Sequence, residues 1–176
     1  MRWVWYALAG VGGLLVVAVI VLLVLGRAGA RMTATLEINR PPEQVFPWLT
    51  EPARLTRWVS WLQDVRDESP GVTGVGQRAR WMMDDPNMNQ IVELVVTTRR
   101  QEPNRLLEAS VSSPVGFDGT VTYALVDLGG RTRLEHSSDY RFHQWFARLM
   151  TPVIMPSAEK KLEGDLARLK ALIEAE

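Results

Sequence analysis

Residues 117–142 read FDGTVTYALVDLGGRTRLEHSSDYRF, and this stretch decides the fold. Successive side chains of a strand point to opposite faces, so alternation shows which face is dry. Val121, Tyr123 and Leu125 fall on one face, opposite Thr120, Thr122 and Ala124. After the turn, Thr132, Leu134, His136, Ser138 and Tyr140 fall on one face, opposite Arg131, Arg133, Glu135, Ser137 and Asp139. Leu128-Gly129-Gly130 joins the two strands, its glycines free to take positive φ. The result is an antiparallel hairpin with one wet face and one face that must be covered.

Upstream, segments bounded by turn formers predict strands at Thr33 to Asn39, Asp64 to Ser69, Gln77 to Met83, Gln90 to Gln101 and Leu106 to Ser112. With the hairpin these make about seven strands, six of them in succession as an antiparallel meander. Pro41-Pro42-Glu43 opens a short helix carrying Val45, Phe46 and Leu49, and Glu51-Pro52 opens a second carrying Leu55 and Trp58. Downstream, Leu162, Leu166, Leu169 and Ile173 recur at helical spacing, with Lys161, Asp165 and Arg168 assigned to the solvated side. This helix supplies the cover for the sheet. Ser157 is its expected N-cap, and Pro152 and Pro156 predict that Gln144 to Met155 forms a separate turn or a kinked lead-in. The fold class is α+β.

The N-terminus has a different character. From Trp3 to Gly26 no side chain is ionisable, and Arg2 and Arg27 bracket the run. At about 1.5 Å per residue such a helix exceeds the roughly 30 Å hydrocarbon slab, so a single membrane span is expected. Trp3, Trp5 and Tyr6 suit the headgroup level. A cleaved secretory signal ending at Ala28-Gly29-Ala30 is the alternative, but its apolar core is ordinarily only about 7 to 15 residues long. Ala9 and Gly13 stand four apart and suggest weak self-association of two spans. Arg27, Arg31 and Arg40 outnumber Arg2 and lean the following domain toward the cytoplasm. The expected division is 1–31 as anchor and short linker and 32–176 as one domain with a single core.

Lysine plus arginine equals aspartate plus glutamate at 20 each, and no like-charge block exceeds two neighbours, so nucleic acid is not an expected partner. The chain has no cysteine and two histidines, which argues against a zinc site; no metal or other cofactor is expected. Gly71-Val72-Thr73-Gly74-Val75-Gly76 lacks the lysine and helix of a phosphate loop and reads as a turn. Asp84-Asp85, followed by Pro86-Asn87, reads as loop chemistry.

The order of elements resembles the helix-grip superfamily, SRPBCC or START-like, in its polyketide cyclase/dehydrase-like branch. The resemblance spans about Thr33 to Glu174. It rests on Ile38-Asn39-Arg40-Pro41-Pro42-Glu43-Gln44-Val45-Phe46, Glu51-Pro52 followed by Trp58, Gly74-Val75-Gly76, Gly119-Thr120-Val121-Thr122-Tyr123, Gly129-Gly130-Arg131-Thr132-Arg133-Leu134 and Leu166-Ala167-Arg168-Leu169-Lys170. Glu51 where the family usually shows Asp, the prolines before the last helix, and the N-terminal span depart from its pattern.

The resemblance implies an apolar cavity between sheet and terminal helix that takes lipids, polyketides or similar molecules. Five tryptophans in the domain (Trp48, Trp58, Trp61, Trp81, Trp145) and methionines such as Met82, Met83 and Met88 suit an adaptable pocket, although most also suit an ordinary core. The expected ligand-binding residues are Trp58, Trp81, Met83, Tyr123, His136, Ser138 and Tyr140, while His143 is expected at the surface. For acid–base chemistry the candidates are His136 and Asp84. Three functions follow: a membrane-anchored domain that binds or passes on a hydrophobic small molecule, a cyclase or dehydratase, and a protein-interaction domain of the chaperone-activator kind. A solidly packed interior would leave the third.

Overall fold

The hairpin forms as its alternation requires. In the computed structural model, which describes residues 2–26, 29–85, 90–114 and 116–176, β6 (Phe117–Asp127) pairs antiparallel with β7 (Thr132–Phe142), and Tyr123 faces His136 across the ladder. Gly129 and Gly130 both take positive φ, at 77° and 85°, and Asp127 Oδ1 accepts the Gly129 N–H at 2.9 Å. The turn is thereby closed by its own side chain.

Outward from the hairpin run β5 (Leu106–Ser113), β4 (Gln90–Glu102), β3 (Arg78–Asp85) and β2 (Leu62–Asp67), in sequence order, as the meander predicts. On the other side β1 (Ala30–Ile38) pairs antiparallel with β7, placing the first strand beside the last. All seven strands form one sheet. The outer face carries an ion-pair ladder in which Arg80 joins Glu68 and Glu93, and Arg78 joins Glu68.

Between β1 and β2 lie three short helices rather than two: α2 (Pro42–Val45), α3 (Pro47–Thr50) and α4 (Pro52–Trp58). Pro47 starts α3, and its missing N–H splits the first expected helix. None has the length to stand alone, so packing holds them. Trp48 and Trp58 are almost fully buried, and the Trp58 Nε1–H donates to the Trp48 carbonyl at 2.9 Å.

The terminal helix corrects two parts of the sequence reading, the Ser157 cap and the separate turn before it. α5 runs unbroken from Trp145 to Ala175, with Pro152 and Pro156 inside it and Gln144 at its N-cap position. Ser157 is therefore an exposed interior residue and not a cap. An interior proline costs about 3 kcal/mol, yet α5 is pinned on both sides of the pair. Thr151 is buried on one side, and Leu166, Leu169 and Ile173 are buried on the other. Burial of large aliphatic side chains, at about 1.5 to 3 kcal/mol each, offsets the local loss.

At the N-terminus α1 (Arg2–Gly26) is helical, exposes Leu14, Leu15, Val16 and Val17, and lies against α5. Among the described residues, however, no helix is long and apolar enough to cross a membrane. The expected span over 3–26 thus has its helix but no structural support as a membrane segment. Gly13 faces open space, while the side chain of Ala9 lies outside the described residues, as do Met88 and Pro86-Asn87.

Candidate functional site: a cavity under the terminal helix

Inner-facing side chains change size along the sheet, and that change makes the site. At one end Ile38, Leu125, Leu134, Leu169 and Ile173 meet in a closed core. Toward the other end the inner positions hold small residues, among them Ala79, Ala109, Val121 and Ser138, and α5 presents Ser157 and Ala158. These side chains do not reach across the gap. A cavity of about 740 Å³ remains between sheet and helix, within the usual range for small-molecule sites.

All seven residues expected to contact a ligand line it: Trp58, Trp81, Met83, Tyr123, His136, Ser138 and Tyr140. β7 contributes the last three, spaced by two and so on one face. Opposite Tyr140 stands Gly119, where a Cβ would collide with the Tyr140 ring and the Asp139 carbonyl. The glycine gives that ring its place. The Tyr123 and His136 rings lie 4.8 Å apart, and Trp58 meets Tyr123 edge-on at 6.4 Å.

The polar groups that β6 and β7 present to the cavity are uncharged. Burial drives the His136 pKa down to about 4, so its imidazole is neutral at neutral pH. Burial likewise raises both tyrosines. Nearness to Ser138 partly offsets the rise at Tyr140, but the geometry falls short of a hydrogen bond. Ser138 Oγ and His136 Nδ1 are both buried without a hydrogen-bond partner. Such atoms are rare in native interiors and call for a reason.

Two charged residues of the site, Asp165 and Lys161, were not expected from the sequence. Asp165, assigned to the solvated side of α5, is buried and lines the cavity. Its carboxylate accepts the Ser60 N–H at 3.1 Å and the Lys161 ammonium at 2.7 Å, which compensates a buried charge. Lys161 Nζ also sits 4.4 Å from the centroid of Trp61, a residue held at a φ of 74° that bulky side chains rarely adopt. The signal for Asp165 was available: it lies three residues after Leu162 and four before Leu169, inside the apolar stripe.

Other expected residues lie elsewhere. Asp84 is exposed and outside the cavity lining, so it does not share a site with His136. Trp48 belongs to the closed core, Trp145 is exposed, and His143 is on the surface with Nε2 2.5 Å from Asp118 Oδ1. A second depression, about 700 Å³, lies on the outer sheet face among Arg78, Arg99, Asp118, Asp139 and Arg141, and none of the expected site residues lines it.

Residues 29–174 match the family described as polyketide cyclase / dehydrase and lipid transport. The chain belongs to that family. Its helix-grip architecture recurs in solved structures at low identity. A conserved protein from Geobacillus kaustophilus superposes with a TM-score of 0.68 at 10% identity, covering 81% of this chain and 94% of that one. A protein from Thermus thermophilus gives 0.65 at 19%, covering 82% and 97%. DynU16, from the dynemicin biosynthetic locus, gives 0.62 at 16%, covering 82% of this chain and 47% of DynU16. At such identities the likeness concerns the fold. No protein of curated function matches the chain significantly.

Proposed function

We propose that this member of the family binds and passes on a hydrophobic small molecule, held beside a membrane by its N-terminal helix. The observation that carries the reading is the 740 Å³ cavity, enclosed by side chains that are mostly apolar and aromatic. A hollow interior speaks against the chaperone-activator alternative, which was expected to go with a filled one. The cyclase alternative draws on His136, and DynU16 comes from a biosynthetic locus. Yet a base with a pKa near 4 is poorly matched to neutral pH, and the other candidate, Asp84, lies outside the cavity. The imidazole serves better as a hydrogen-bonding partner than as a proton acceptor.

Anchoring is supported by the uncharged run from Trp3 to Gly26 and by the exposure of its large aliphatic side chains in α1. α1 leads into β1 at Ala30, which pairs with Tyr140 at the hollow end of the sheet. A guest leaving the bilayer would therefore have a short path, with the cavity on the cytoplasmic side by the arginine count. Native mass spectrometry of the full chain, released gently from membranes, should show a retained small molecule that extracts into organic solvent. Deleting Met1 to Arg27 should leave a folded domain that no longer sediments with membranes. A chain that emerges empty and stays unliganded with every lipid extract offered would overturn the binding reading, and an unchanged distribution of the deletion variant would overturn the anchoring.

A further inference from the structure

We infer that the cavity selects uncharged guests bearing a hydroxyl or carbonyl oxygen, and that this oxygen docks between His136 and Ser138. The inference rests on the proposed binding function and specifies its ligand. His136 and Ser138 are 5% and 2% exposed and line the cavity, and each keeps a buried polar atom without a partner. Two residues apart on one strand, their Cα atoms are about 6.6 Å apart, so a single oxygen can lie within reach of both side chains. The chemistry of the pair suits such an oxygen. A neutral imidazole has one donor and one acceptor nitrogen, and a serine hydroxyl donates and accepts. A guest hydroxyl can donate to one and accept from the other, and a guest carbonyl can accept from the serine.

Charge excludes the alternatives. Among the described lining residues the charged side chains are Lys161 and Asp165, and they are committed to each other, with the Trp61 ring and the Ser60 N–H as further partners. The pair is already charge-balanced, so a guest carboxylate or ammonium would enter without a free counter-ion, and an unpaired buried charge is strongly disfavoured. His136, neutral at physiological pH, supplies none.

The test is a competition on the full chain in detergent, read by native mass spectrometry, among hexadecanol, palmitate, hexadecylamine and hexadecane at equal concentration. Hexadecanol should exceed both charged probes by at least about tenfold and hexadecane by about tenfold, the value of one ordinary hydrogen bond. In Ser138→Ala and His136→Phe the advantage over hexadecane should fall to within about threefold, while hexadecane retention shows that the cavity is intact. Preference for palmitate or the amine would overturn the inference. So would an alcohol advantage that survives in both variants, or alcohol and alkane binding equally to the wild type, which would mean that water satisfies the pair. Retention of no probe at all would instead refute the binding function itself.

Discussion

The two ends of the interior are built from the same elements and have opposite properties. On β7, Thr132 and Leu134 are almost fully buried, Leu134 in one cluster with Leu166, Leu169 and Ile173 of α5, whereas His136, Ser138 and Tyr140, further along the same face, border empty space. On α5, Leu166, Leu169 and Ile173 fill the gap to the sheet; Val153, Ile154, Ser157 and Ala158 do not, and Val153 and Ile154 remain more than half exposed. The Lys161–Asp165 pair marks the boundary. Both ends hold unpartnered buried polar atoms, Trp48 Nε1 in the closed core and His136 Nδ1 and Ser138 Oγ at the hollow end, each forgoing about 1 to 3 kcal/mol, but the hollow end holds two of these three and also forgoes packing. An interior that forgoes packing and hydrogen bonds in one region is organised for a guest there.

The contrast predicts where substitution hurts most. Leu166→Asp places an unpaired charge in the closed core and should cost at least about 4 kcal/mol, enough to unfold a domain of this size. Leu162→Asp, one turn toward the cavity at a half-buried position, should cost less than half as much. Denaturant titration of both variants measures the difference. Equal losses would mean that α5 is held as firmly over the cavity as over the core.

A smaller effect separates the ends by pH. His136 has a folded pKa near 4 against an ordinary 6.5, so between those values the unfolded chain binds more protons than the folded one. Its contribution is complete above pH 6.5 and is lost as pH falls toward 4, by about 3 kcal/mol. At the closed end, Glu174 is held below the ordinary carboxylate range, first by the Asn39 N–H and then by Lys170, so its contribution disappears only at lower pH. Thermal unfolding between pH 7 and 4.5 should thus show a decline in the wild type that His136→Phe removes. An identical decline in that variant would assign it to the carboxylates.

Much of this was legible in the sequence, for reasons that vary by residue. The hairpin was plain because period-two alternation is strong in residues 117–142 and two glycines fix the turn. Inner-facing His136, Ser138 and Tyr140 followed from the same alternation. Pro152 and Pro156 misled because local propensity sees the lost N–H but not the anchorage of α5 on both sides. Asp165 misled because its charge argued for solvent although it lies within the apolar stripe: Lys161, one turn earlier on the same helix, was visible as a partner, and only the tertiary contact to the Ser60 N–H was not. The cavity volume was not legible as such. It depends on how far small residues on β3, β5 and β6 stand from α5, a distance between elements that periodicity does not encode.

The smallest expected effect tests the hollow end alone. Tyr123 stands at the border of the two regions, its ring packed on Trp58 and facing His136, with its hydroxyl in a setting that raises its pKa through burial. Tyr123→Phe removes one oxygen and keeps the ring contacts, so stability should change by less than about 1 kcal/mol. Retention of hexadecanol by the full chain should fall by about two- to threefold, no more than in Ser138→Ala, because the lost oxygen stands next to the docking pair without belonging to it. If stability fell by several kcal/mol while retention held, the phenol would belong to the closed core, and the boundary between the two regions would lie closer to Ser138.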